Sequence, residues 1–270
     1  EISCSLVGSE MCIRDRILGS YIEKNYADYS LSLALSYNVS GIVFFPRKYN
    51  KNAINLINQN NIPLVLVDRE MPECQTNFVR CDDYQGGYIA GKHLLELGHR
   101  HFLYLPGPKY NLSQTRRYAG IMDALSEANV PASNIREIDY HTVFGSSAES
   151  TSSYKPYEEL FFPVNYTAVI GFNDLQSYSA MEILQKKGYR IPEDISLISF
   201  DHLRKTHTYL PPLTSIADNS EKSIADTAVS ILLDKIRNPS SEISSEVLPV
   251  SIFDDHTTGP INETFAHSFE

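Results

Sequence analysis

Short apolar runs rich in β-branched residues alternate along this chain with longer stretches of helical period. The runs are 42–45 (IVFF), 64–67 (LVLV), 101–105 (HFLYL), 168–172 (AVIGF) and 195–200 (ISLISF). Each is apolar at consecutive positions, so both of its faces must be covered, as they are in central parallel strands flanked by helices. Three helices between the runs have legible ends. One starts at Asp82-Asp83, carries Ile89, Leu94 and Leu97 on one face and stops at Gly98. A second starts at Ser113 and runs through Ile121 and Leu125. A third starts at Asn173-Asp174 and ends in Lys186, Lys187 and Gly188, which suits the dipole at a helix C-terminus. The pattern predicts an α/β fold of doubly wound parallel sheets.

In such sheets ligands bind beyond the carboxyl ends of the strands. The residues standing there are Pro46-Arg47, Asp68-Arg69, Pro106-Gly107-Pro108, Asn173-Asp174 and Asp201-His202. This rim of carboxylate, amide and guanidinium groups suits a neutral polyhydroxy ligand held by hydrogen bonds. No glycine-rich phosphate loop and no G-x-S-x-G elbow occurs, so the pattern points away from nucleotide binding and from an enzyme.

Composition sharpens this picture. A chain of 270 residues with 42% hydrophobic and 21% charged residues can form one large domain or two smaller ones. A net charge of −10 repels phosphate, so the chain by itself is not expected to grip DNA. Four cysteines without a C-x-x-C frame fit a reduced cytoplasmic protein and give no zinc signature. His93, His99 and His101 do not share a face at ligand spacing, so no metal and no cofactor is expected. His99, after Gly98, reads as a helix C-terminal cap.

Taken in order, SGIVFFP, IPLVLVDRE, VRCDDYQGGYIAGKHLLELGHRHFLYLPGP, SQTRRYAGIMDAL, TAVIGFNDLQSYSAMEILQKKGYRIPEDISLISFDH and PPLTSI make the chain resemble the effector-binding region of the lactose/galactose-repressor (LacI/GalR) family of bacterial transcription regulators. The resemblance covers about residues 17 to 260. It implies two subdomains of periplasmic-binding-protein type I, one of 17–79 plus 218–249 and the other of 80–217 plus 250–260, with 261–270 as a fraying tail. It also implies a small, sugar-like effector, a homodimer without membrane contact, and operator DNA reached only through a helix-turn-helix head that has no counterpart in this sequence. A solute-binding protein of a transporter shares the fold and is the alternative.

The resemblance carries ligand contact to Asp68, Arg117, Asn173 and Asp201, and ligand stacking to Phe144. Each residue also has a plainer reading. Arg117 lies in register with Ile121 and Leu125 on a core-facing stripe, so it needs a partner, either a ligand or a carboxylate. If the partner is a ligand, Arg117→Ala should abolish binding and leave the fold intact. Asn173 or Asp174 can cap a helix, with Asp174 the more cap-like of the two. Asp201 can form a turn, Asp68 can pair with Arg69, and Phe144 can simply pack.

Residues 1–16 fit nothing that follows. They lack the basic segment and the apolar length of a signal peptide. The run SLVGSEMCIRDR resembles a translated sequencing adapter, so 1–16 is expected to be a non-native leader. On that expectation the first subdomain lacks the initial strand and helix that the resemblance calls for.

Overall fold

The computed structural model describes residues 3–7, 16–20, 39–45, 51–71, 74, 76–108, 111–138 and 157–266. The chain divides into two compact units, Glu1–Cys81 with Asp218–Pro249 and Asp82–Ala217 with Val250–Glu270.

In the first unit, β1 (Ser3–Val7) and β2 (Arg16–Ser20) precede β3 (Gly41–Phe44), α1 (Lys51–Gln59), β4 (Leu64–Val67) and β5 (Asn77–Cys81). α5 (Ile224–Arg237) and β11 (Ser245–Leu248) complete it. The sheet order is β11-β5-β4-β3-β1-β2, parallel from β11 to β3. The β1–β2 pair is antiparallel, and β1 is antiparallel to β3, Leu6 facing Ile42. The β1–β2 pair departs from an all-parallel expectation for a chain-length reason. Only residues 8–15 separate the two strands, and a parallel crossover takes a dozen or more. One face of the sheet buries Ile42, Leu64 and Leu66 against Ile54 and Ile57 of α1. The other buries Val43, Val65 and Val67 against Ala228 and Leu232 of α5.

The second unit contains α2 (Asp83–Glu96), β6 (Phe102–Leu105), α3 (Leu112–Glu127), β7 (Ile135–Glu137), β8 (Ala168–Gly171), α4 (Asp174–Lys186) and β9 (Ser196–Phe200). β10 (Thr214–Asp218), β12 (Val250–Phe253) and a short α6 (Glu263–Ala266) follow. Its sheet order is β12-β10-β9-β8-β6-β7, with β10 through β7 parallel. Central strands are buried at every position, as their unbroken apolar runs require.

α2 and α3 cross closely because glycines let their backbones meet. A Cβ on Gly87 would lie 1.9 Å from the Arg117 carbonyl oxygen, and one on Gly120 would lie 2.1 Å from that of Tyr84. Tyr84 and Tyr88 then donate hydrogen bonds to Asp123 (2.7 Å) and Glu127 (2.6 Å) across the same pair. Arg117 is thereby carried on a helix whose distance from α2 is fixed by backbone contact.

One sequence expectation is refined here and another needs correction. His99 closes α2 through its backbone, the N–H groups of Gly98 and His99 donating to Leu95 and Leu94. The ring itself is buried between Thr167, Ser196 and Gly259 at 2.9 to 3.0 Å. The chain end, read as fraying, is also packed as far as Ala266. Asn262 accepts from the Phe265 N–H, and the Phe265 ring meets Tyr189 edge-on at 5.9 Å.

Candidate ligand-binding site

β6, β8 and β9 lie side by side and parallel, so the segments leaving them, 106–108, 172–174 and 201–203, emerge on one edge of the second sheet. α3, capped by the Asn111 side chain on the Ser113 N–H, brings Arg117 to the same edge. The Arg117 guanidinium is 8% exposed and reaches three acceptors: Asp83 Oδ1 at 2.9 Å, the Phe172 carbonyl at 2.7 Å and Asp201 Oδ1 at 3.5 Å. Its carbon lies 5.0 Å from the centre of the Phe172 ring and 4.5 Å from that of Phe200. Arg117 therefore has both roles left open by the sequence within reach, a structural ion pair through Asp83 and an approach to the rim through Asp201.

Asn173 caps α4, its side-chain oxygen accepting the Gln176 N–H at 3.0 Å. The cap engages the amide oxygen, and the amide NH2 is the donor a ligand would use. Asp174, the more cap-like residue by sequence, is not the cap. It is 1% exposed and accepts from the Leu203 N–H (2.7 Å) and the Ser215 hydroxyl (2.8 Å). Burial pushes its carboxyl up to about 6, against the pull of these donors. Asp201 presents a carboxylate that is 42% exposed. Asp68 stands at the end of β4 in the first unit, with φ 61° and its N–H bonded to the Val79 carbonyl at 2.8 Å. Phe144 lies outside the described residues.

Asp83 was not singled out in the sequence. Its side chain is 1% exposed, and among the described residues its Oδ2 has no hydrogen-bond partner; the same holds for Oε1 of Gln176, on the first turn of α4. The readable signal is the doublet Asp82-Asp83. Only one residue can cap a helix, and Asp82 does so by accepting from Gln85, which leaves Asp83 to find another partner. Among the described residues named here, one guanidinium stands against the carboxylates of Asp83 and Asp201. Such an edge favours a ligand that donates hydrogen bonds and carries no negative charge. Among the described residues no group of three or more His, Cys, Asp or Glu could hold a metal ion. No helix among them is long and apolar enough to cross a membrane.

The family described as "Periplasmic binding protein-like domain" matches residues 92–258, more than half of the chain. The chain belongs to the periplasmic binding protein-like family. This periplasmic binding protein-like chain is 32% identical over 223 residues to the HTH-type transcriptional repressor PurR of Klebsiella pneumoniae, covering 81% of the chain and 63% of the repressor. To the PurR of Mannheimia succiniciproducens it is 29% identical over 208 residues, covering 76% of the chain and 60% of the repressor. The chain thus spans under two thirds of the length of these curated relatives. In fold it is similar to a LacI family transcriptional regulator from Enterococcus faecium solved with bound ribose, with a TM-score of 0.74 and 24% identity, covering 87% of this chain and 85% of that one.

Proposed function

We propose that this chain is the effector-sensing region of a cytoplasmic bacterial transcription repressor, binding a small, uncharged, sugar-like ligand through Arg117, Asn173, Asp201 and Asp68. Phe144 is retained as a stacking contact from the resemblance. The observation that carries the reading is the second unit's edge, where the half-exposed carboxylate of Asp201 lies 3.5 Å from the Arg117 guanidinium. A carboxylate accepts hydrogen bonds and a guanidinium donates them, and the hydroxyls of a polyol can answer both. The repressor relatives support a regulator over a transporter's solute-binding protein. Operator DNA would be bound by the whole protein through a separate head, since a net charge of −10 disfavours phosphate contact here. The effector acts by binding one conformation better than another, because only that difference can move the equilibrium.

Titration calorimetry against D-ribose, other mono- and disaccharides, nucleobases and sugar phosphates tests the ligand class. The tightest ligand should be an uncharged polyol. Its phosphorylated counterpart should bind at least about tenfold more weakly, as should the polyol itself to Asp201→Asn, a difference of about 1.4 kcal/mol. A sugar phosphate or a nucleobase as the tightest ligand would overturn the reading.

The resemblance also implies a homodimer, and one face of the second unit fits a second copy. Leu175 (65% exposed) and Tyr209 (81% exposed) flank a groove lined by Tyr178, Met181, Leu210 and Pro211. Beside it, Glu182 and Lys186 pair one turn apart at 2.7 Å. That pair is self-complementary, since under a two-fold axis each acid can meet the other copy's lysine. Sedimentation velocity should show a dimer for the native chain and a monomer for Leu175→Glu/Tyr209→Ser. A dimer that survives both changes would remove this face from the interface.

A further inference from the structure

We propose that Asp174 and Ser215 are positioning residues for Asp201, holding the turn after β9 in the backbone conformation that presents its carboxylate at the edge of the sheet. The inference rests on the reading of Asp201 as a ligand contact. Its own basis is the turn itself.

Asp201 and His202 have φ values of 99° and 49°, two successive side-chain-bearing residues on the left-handed side of the map. Residues with a Cβ avoid that region, and a pair of them persists only where the surroundings over-determine the backbone. Three consecutive N–H groups are pinned here. Asp201 donates to the Ile216 carbonyl at 3.0 Å, His202 to Ser215 Oγ at 3.0 Å and Leu203 to Asp174 Oδ2 at 2.7 Å. The second pin depends on the third. Ser215 gives its hydroxyl proton to Asp174 Oδ1 at 2.8 Å, which leaves its oxygen lone pairs for the His202 N–H. One carboxylate therefore sets two of the three bonds, one directly and one through a serine.

The cluster is closed to water: Ser177, Ser199 and Ser215 are wholly buried and Asp174 is nearly so. Ser177 donates to the Ser199 hydroxyl oxygen at 2.8 Å. On the far side of the turn the His202 ring stacks on Phe253 at 4.4 Å, so the residue after Asp201 is anchored at both backbone and side chain. Without the Asp174 and Ser215 bonds, the Ile216 contact is the one remaining bond among these three N–H groups. The backbone is then free to relax toward negative φ, carrying the Asp201 carboxylate away from Arg117.

Acid acts at the same point. Gaining or losing its proton near pH 6 changes what the Asp174 carboxyl can accept from Leu203 and Ser215, so the turn carries a pH step there. The ionisable groups around Asp174 are Asp201 on the turn and Tyr178 on α4, with Arg204 and Asp255 beyond Tyr178. Asp201 itself titrates, so the pH step assigned to Asp174 must be the one that disappears in Asp174→Asn.

Hydrogen–deuterium exchange and D-ribose calorimetry from pH 5 to 8, on the full chain and on Asp174→Asn and Ser215→Ala, test this. In both variants the His202 and Leu203 amides should exchange at least tenfold faster while those of α2 keep their protection. D-ribose affinity should fall at least tenfold, and Asp174→Asn should lose the step near pH 6. Unchanged protection at 202 and 203 in both variants, or a pH step that survives in Asp174→Asn, would overturn the proposal. If the native chain binds no D-ribose, exchange at 202 and 203 still decides it, and the failure then belongs to the sugar reading.

Discussion

Arg117→Ala should destabilise the second unit by roughly 3–5 kcal/mol in addition to removing its ligand, the usual range for breaking a buried ion pair. The sequence alone suggested that this change would spare the fold, and the geometry reverses that expectation. Asp83 is 1% exposed, and Arg117 is its one charged partner within 4 Å among the described residues. Truncation would strand a carboxylate whose second oxygen already lacks a donor among the described residues. It would also take the donor from the Phe172 carbonyl and leave a gap beside the Phe172 and Phe200 rings. Urea unfolding of two variants separates the charge effect from the packing effect. Asp83→Asn/Arg117→Ala, with no carboxylate left to strand, should be more stable than Arg117→Ala by about 2 kcal/mol or more, the scale of an uncompensated buried charge. Arg117→Lys should fall short of the native protein, because an ammonium cannot reproduce the forked, planar contacts to Asp83, Phe172 and Asp201. An Arg117→Ala protein that unfolds at native urea concentrations would show that the Asp83 pair does not support the fold.

Between pH 4 and 6.5 two buried groups of the second unit should oppose each other almost completely. Burial pushes His99 down to about 4 from an ordinary value of 6.5. A neutral ring with its proton on Nε2 can donate to the Gly259 carbonyl and accept from Thr167, whereas the charged ring loses that acceptor. The folded chain thus binds fewer protons at His99 than the unfolded chain does. The stabilisation is complete above pH 6.5 and is lost as pH falls through about 4, a change of roughly 3 kcal/mol. Asp174 has the opposite sign. Its folded value of about 6 lies above the ordinary 3.8, so its contribution is complete below 3.8 and lost as pH rises through 6, again by roughly 3 kcal/mol. In the native protein the two nearly cancel. His99→Gln should expose the Asp174 dependence, with stability rising as pH falls from 6.5 to 4. Asp174→Asn should expose the His99 dependence, with a steep loss over the same interval. Thermal melts of the three proteins across this range check the pair, and two variants with parallel pH dependence would refute it.

Much of the scaffold was legible in the sequence, because a strand covered on both faces must be apolar at consecutive positions. The runs at 64–67, 168–172 and 195–200 locate β4, β8 and β9 to within a residue at either end. Gly98 and Gly188 mark the ends of α2 and α4 because both adopt positive φ, which a glycine tolerates without strain. The β1–β2 hairpin was not legible, since residues 1–16 carry no strand period that the rest of the chain shares.

At the edge of the second sheet, chain order determined which residues arrive there and tertiary structure decided what each one does. Asp82-Asp83 and Asn173-Asp174 look alike in sequence, each a polar doublet opening a helix. In both, the first residue caps the helix, and the second turns inward to a partner 34 positions away at Arg117, or 29 and 41 positions away at Leu203 and Ser215. A cap is a local hydrogen bond between residues two or three apart, so sequence spacing can predict it. The inward partner depends on which strands and helices become neighbours, and a buried carboxylate accepts whatever donor the fold delivers. For the same reason Arg117 could be recognised from its helical register as needing a partner, but only the packing of α2 against α3 decided that Asp83 is one.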